Sequence, residues 1–156
     1  MRIRSILCTA LLLLPGLASA ATPVPADTCL VVQDGWIRMP PGPRPMMLAG
    51  FGRIINGCAT AQAVVAVRSP RFGDVSLHET QVVDGVSRMR EVERLPVAPG
   101  GEAMLAPGGL HLMLTQPVAV LAEGERVPLV LVLADGREVA AELQVRRTAP
   151  EPAHAH

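Results

Sequence analysis

Two of the chain's four histidines and two of its seven methionines stand where a β-strand would turn them away from a core. In Leu110-His111-Leu112-Met113-Leu114 the leucines fall at every second position. Successive side chains of a strand point to opposite faces, so the three leucines share one face and His111 projects beside Met113 from the other. Met89 shares its face with Ser87, Glu91 and Glu93, poor company for a core methionine. His78 shares its face with Ser76 and Thr80 while Leu77 points the other way, although Val82 also falls on the histidine side.

Imidazole nitrogen together with thioether sulfur is a soft donor set, and it favours copper(I). Zinc prefers cysteine, histidine or carboxylate, and calcium or magnesium oxygen. A thioether needs no proton removed before it binds and forms no disulfide, which suits an oxidising compartment. Two histidines and two methionines are neutral, so the site keeps only the ion's own charge, and without a thiolate it favours reversible holding. Taken singly, each residue has an ordinary explanation: a strand histidine is usually a surface residue, and methionine commonly fills gaps in a core. The His111/Met113 pair, two apart and opposite three leucines, is a preformed two-point grip.

The elements that must position these side chains read as short β segments with turn signals roughly every ten residues. Candidate strands are 29–39, 48–56, 63–67, 75–82, 86–93, 102–105, 110–115, 127–133 and 138–145. Asp84-Gly85 and Asp135-Gly136 are hairpin signals, and Pro99-Gly100-Gly101 and Pro107-Gly108-Gly109 mark further turns. About nine strands predict an all-β fold, a two-sheet antiparallel β-sandwich. Folding the first two segments into an antiparallel pair across the proline-rich loop 40–45 brings Cys29 to face Cys58, a disulfide in an exported chain. The rival reading of this pair is two free thiols serving as metal ligands.

Export is read from the N-terminus. Arg2 and Arg4 precede an apolar run from Ile6 to Leu17 and the small residues Ala18-Ser19-Ala20, the pattern of a signal peptide cleaved after about Ala20. Cys8 sits inside the apolar run with leucines after it, which disfavours a lipid anchor at that position. No later stretch is long enough to span a membrane. The expected organisation is a signal peptide at 1–20, one β-sandwich domain at 21–148 and a disordered tail at 149–156. Residues 21–156 carry 12 arginines against 14 acidic residues, a formal charge of −2, and offer nothing that attracts nucleic acid. A monomer is the default expectation.

The spacing His78-x10-Met89-x21-His111-x-Met113 resembles the copper motif of the PCu(A)C periplasmic copper chaperones. The resemblance runs over roughly residues 31–145. It includes the Trp-containing segment Asp34-Gly35-Trp36-Ile37-Arg38, Val75-Ser76-Leu77-His78-Glu79, Met89-Arg90-Glu91-Val92 and Pro107-Gly108-Gly109-Leu110-His111-Leu112-Met113. The resemblance implies a cupredoxin-like sandwich that binds copper(I) through these four side chains. It also implies delivery of the ion to the CuA centre of cytochrome oxidase, on subunit II, or to another copper chaperone. Cys29 and Cys58 lie outside the family motif and read as a local staple. The tail pair His154 and His156 offers an auxiliary copper(II) position. Met39, Met46 and Met47 bracket the proline-rich loop and are candidates for a methionine patch or a docking edge, with loop packing as the plainer role. Arg88 and Arg90, which flank Met89, read as a solvated face that could also discourage more highly charged cations.

Enzymatic readings find no support: there is no Ser/His/acid set, no nucleotide loop and no H-E-x-x-H pattern around His78-Glu79. A blue-copper electron carrier needs a thiolate, which a Cys29–Cys58 bridge would remove. The remaining alternatives are copper sequestration through the same site, and a metal-free sandwich used for adhesion or assembly.

Overall fold

Ten strands account for most of the residues described in the computed structural model, which are 29–39, 42 and 45–150. They are β1 (Leu30–Arg38), β2 (Met47–Asn56), β3 (Gln62–Arg68), β4 (Phe72–Val83), β5 (Val86–Glu91), β6 (Leu95–Val97), β7 (Glu102–Leu105), β8 (Leu110–Pro117), β9 (Arg126–Leu133) and β10 (Glu138–Arg146). The hydrogen-bonded order is β5-β4-β8-β2-β1-β10-β9-β3-β6, with β7 on the second half of β2. The sheet folds back on itself. Leu77, Leu112 and Leu114 from one half and Leu129, Leu131 and Val139 from the other belong to one buried cluster, and β3 packs against β4. The expected all-β sandwich is therefore present, and its core is built from the alternating positions of both halves.

Two features depart from a simple antiparallel meander. The halves are joined by β1 and β10, which pair in parallel, Trp36 opposite Gln144 and Ile37 opposite Val145. A parallel pair needs a long connection, and here nearly the whole domain lies between the two strands. The other is β6, a three-residue strand on β3 that the sequence hides behind Pro96; Leu95 and Val97 both enter the core. The hairpin signal at Asp84-Gly85 is realised as a two-residue turn between Val83 and Val86, with φ of 54° and 76° at its centre.

A bulge in β1 decides which aromatic residues face the candidate site. The register with β2 advances by one residue between Gln33 and Trp36, and Asp34 lies there at φ 52°. Without that extra residue, strand alternation would turn Trp36 into the core and Ile37 out of it. With it, Ile37 is fully buried in the core and Trp36 packs on the outward face against Phe51, its partner on β2. Gly52 is required opposite the bulge, since a Cβ there would stand 2.9 Å from the Cα of Gly35.

At the other end of the β1–β2 ladder the two cysteines are bridged, Cα to Cα 5.0 Å. Leu30 is opposite Asn56, and the Gly57 N–H donates to the Cys29 carbonyl, so the antiparallel pair brings the cysteines together as the sequence predicts. Beside them the fully buried Asn56 amide donates to the carbonyls of Thr60, Val97 and Ala98, and its Oδ1 accepts the Cys58 N–H.

Candidate metal centre

Three neighbouring strands, β5-β4-β8, bring the predicted ligands together, and their registers decide what meets on the outward face. His78 stands opposite His111, Ser76 opposite Met113 and Thr80 opposite Met89. Residues paired across an antiparallel ladder point the same way, so all six share one face. Leu77, Leu112 and Leu114 are buried on the other. Val82, which falls on the histidine side, is 73% exposed, so that side is the solvent face.

His111 is the fixed member of the group and is only 8% exposed. Its ring lies 6.5 Å from Phe51, whose ring is 4.8 Å from Trp36, and the Arg38 guanidinium covers both aromatics at 5.3 and 5.7 Å. Two of the chain's three aromatic residues thus brace this face rather than fill the core. The imidazole Nδ1 is 2.9 Å from the Gly109 carbonyl oxygen. A carbonyl can only accept, so Nδ1 carries a proton, and in the neutral ring Nε2 presents its lone pair. The same carbonyl accepts the Thr80 N–H at 3.1 Å, so the turn at Pro107-Gly108-Gly109 ties the ring to β4. Gly108 permits that turn at φ 81°.

What the Nε2 lone pair meets is sulfur. Met89 Sδ is 3.2 Å away, and a thioether has no proton to give. Two electron-pair donors facing each other with no hydrogen between them gain stability when a cation joins them. An ion held at ~2.0 Å from nitrogen and ~2.3 Å from sulfur at a tetrahedral angle keeps those atoms ~3.5 Å apart. The observed 3.2 Å is shorter than that, so the flexible Met89 side chain would open slightly to admit an ion.

His78 is held differently. Its ring centroid is 6.1 Å from that of His111, and its Nε2 is 3.1 Å from Ser76 Oγ, within the same strand. Met113 occupies the next outward position on β8 after His111, half-buried between Ser76 and Ala49. Across β5, Glu91 is opposite His78 and supplies the carboxylate nearest in register. Among the described residues no three histidine, cysteine, aspartate or glutamate side chains cluster as a metal-binding group.

The other candidates separate. Arg88 and Arg90 alternate with Met89 and therefore point to the opposite face, where Arg90 pairs with Glu79 at 2.5 Å; neither screens the site. The disulfide leaves neither Cys29 nor Cys58 as a thiolate, which removes the free-thiol and blue-copper readings. Met39 packs against the core, whereas Met46 and Met47 are exposed, so the three do not form one patch. His154 and His156 lie outside the described residues, as does the signal segment. Among the described residues no helix is long and apolar enough to cross a membrane. Sequence reasoning missed Phe51, the Gly109 carbonyl and the Ser76 hydroxyl as parts of the site. The outward parity of Ser76 was visible in the sequence, but the contacts of Phe51 and Gly109 depend on strand neighbours and turn geometry.

Comparison with known proteins agrees with this architecture. The family model described as "Putative lipoprotein LpqE-like" matches residues 30–145. Putative lipoprotein Lxx21020 of Leifsonia xyli subsp. xyli (strain CTCB07) is 32% identical over 120 residues, covering 76% of this chain and 70% of that protein. Similar solved structures include the copper-bound PCuAC domain from PmoF2, with TM-score 0.63 and 19% identity over 79% of this chain and 97% of that one. The apo PCuAC domain from PmoF1 has TM-score 0.62 and 24% identity over 78% and 95%. Copper(I)-bound DR1885 from Deinococcus radiodurans has TM-score 0.59 and 23% identity over 80% and 85%. At these identities the likeness establishes the fold, which is the one the sequence motif implies.

Proposed function

The chain belongs to the LpqE-like family of putative lipoproteins, and from that membership and its PCuAC-like fold we propose that it is an exported copper(I) carrier. His78, Met89, His111 and Met113 hold one ion, which is cargo rather than a resident cofactor. The observation that carries this reading is the His111 Nε2 lone pair facing Met89 Sδ at 3.2 Å, with Nδ1 committed to Gly109. Soft, neutral donors on an exposed sheet face suit an ion that must be taken up and given away. Two similar structures, a copper-bound PCuAC domain and copper(I)-bound DR1885, lend the reading support.

Delivery goes to an acceptor with stronger ligands, either the CuA centre of cytochrome oxidase or another copper chaperone. Copper(I) competition titration of residues 21–156 tests the site under reducing, thiol-free conditions. One tight equivalent is expected, and Met89→Leu/Met113→Leu removes it while leaving the fold intact, since leucine keeps the volume and discards the sulfur. Binding that is unchanged in the double variant sinks the site. Sequestration shares these ligands and is separated by mixing the loaded protein with a soluble CuA domain: a carrier gives up its ion, and a sequestering protein keeps it.

A further inference from the structure

The two histidines of the centre are anchored in opposite senses. His111 is held through Nδ1, the nitrogen that faces away from Met89, so its metal-facing lone pair is left available. His78 is held through Nε2, 3.1 Å from the hydroxyl of Ser76. Ser76 lies two residues earlier on β4 and stands opposite Met113. A nitrogen lone pair cannot serve a hydrogen bond and a metal bond together, and a ring proton on that nitrogen excludes the metal equally. Ser76 therefore engages Nε2 of His78, whereas Gly109 engages Nδ1 of His111 and leaves its Nε2 facing Met89.

We propose that Ser76 is a positioning residue that competes with the cargo ion for His78 Nε2. This inference rests on the copper(I) reading of the centre. When the ion departs, the hydroxyl takes up the freed nitrogen, so His78 exchanges one bond for another instead of being left bare beside His111. The effect is to loosen retention at one defined ligand. A typical hydrogen bond contributes ~0.5 to 1.5 kcal/mol net, so removing the competitor tightens copper(I) binding by roughly two- to twelvefold. Ser76 is partly exposed and its partner Met113 lies on the open face, so loss of one oxygen leaves the packing undisturbed.

Three variants and two readouts test this. Ser76→Ala, Ser76→Thr and the wild type are titrated with copper(I) against a competing chelator, and transfer to the chelator is timed. Imidazole nitrogen NMR shifts of His78 and His111 are recorded on the same proteins without metal. Ser76→Ala is expected to bind several-fold tighter, to release the ion more slowly and to move the His78 shifts but not those of His111. Ser76→Thr, which keeps the hydroxyl, is expected to restore all three. Copper(I) binding by the wild type with Ser76→Ala no tighter, or with the alanine effects persisting in Ser76→Thr, overturns the competition alone. A wild type that takes up no copper(I) overturns the carrier reading and this inference with it.

Discussion

The two ends of the β1–β2 and β4–β5 ladders are built on opposite principles. Around Cys29 and Cys58 the chain is closed by a disulfide, and the buried Asn56 amide spends each polar atom on a neighbouring backbone group. Around Met89 every residue from Gln81 to Glu91 is exposed, and among the described residues β5 pairs only with β4. The first end holds the sandwich together; the second carries Met89 on a strand that contributes little to the core. In the proposed copper carrier, stability and cargo handling thereby fall to different residues. A ligand can shift when an acceptor arrives without drawing on the contacts that keep the domain folded.

The largest expected effect breaks the comparison at its rigid end. Cys29 and Cys58 are 29 residues apart, and closing such a loop contributes about 3.5 kcal/mol in the chain-entropy model. Replacing both cysteines by serine should lower unfolding stability by about that amount in urea melts. Copper(I) affinity should stay within about twofold of wild type, because the bridge lies at the Leu30/Asn56 end of the β1–β2 ladder while the candidate ligands lie on β4, β5 and β8. A large loss of affinity with the fold intact would show that the two ends are coupled.

An intermediate effect is expected where the ends meet, at Phe51. This residue lies between the Trp36 ring on β1 and His111 on β8, so it links the stapled ladder to the fixed histidine. Phe51→Leu keeps an apolar side chain of smaller size and should cost about 1 to 1.5 kcal/mol. It should also free the His111 ring to turn and so weaken copper(I) binding several-fold. Wild-type affinity in a measurably destabilised Phe51→Leu would mean that Gly109 alone fixes the ring.

How far this division was legible in the sequence follows from the range of each interaction. Period-2 alternation gives the outward faces of His111, Met113, Met89 and His78, because parity is a local property of one strand. The disulfide follows from one antiparallel pairing across one loop. Tertiary contacts are another matter. The β1–β10 parallel pair joins the first and last strands, and no local pattern announces it. The bulge at Asp34-Gly35 reverses the parity of Trp36, which makes this aromatic part of the site's support rather than of the core. Leu95–Val97 is too short, and too interrupted by Pro96, to register as a strand. Around the centre, the residue types were readable, but the partners of each imidazole nitrogen were not. Those depend on a turn carbonyl and a hydroxyl whose directions are fixed only after the strands assemble.

The smallest expected effect concerns the exposed end and separates two ideas about its charges. Arg90 alternates with Met89, so it lies on the face away from the centre, where its guanidinium pairs with Glu79. The pair is exposed on the arginine side, and ion pairs of this kind contribute ~0.2 to 1 kcal/mol. Arg90→Ala should therefore shift stability by under about 1 kcal/mol, more at low salt than at high. If the arginines instead repelled competing ions, the same variant would raise affinity for a divalent cation such as zinc relative to copper(I). Strand parity argues against that: a charge on the far side of β5 is separated from the donors by the strand itself and screened by solvent. Copper(I) affinity and selectivity over zinc are expected to match wild type, with discrimination left to thioether sulfur on the face that Arg90 does not share.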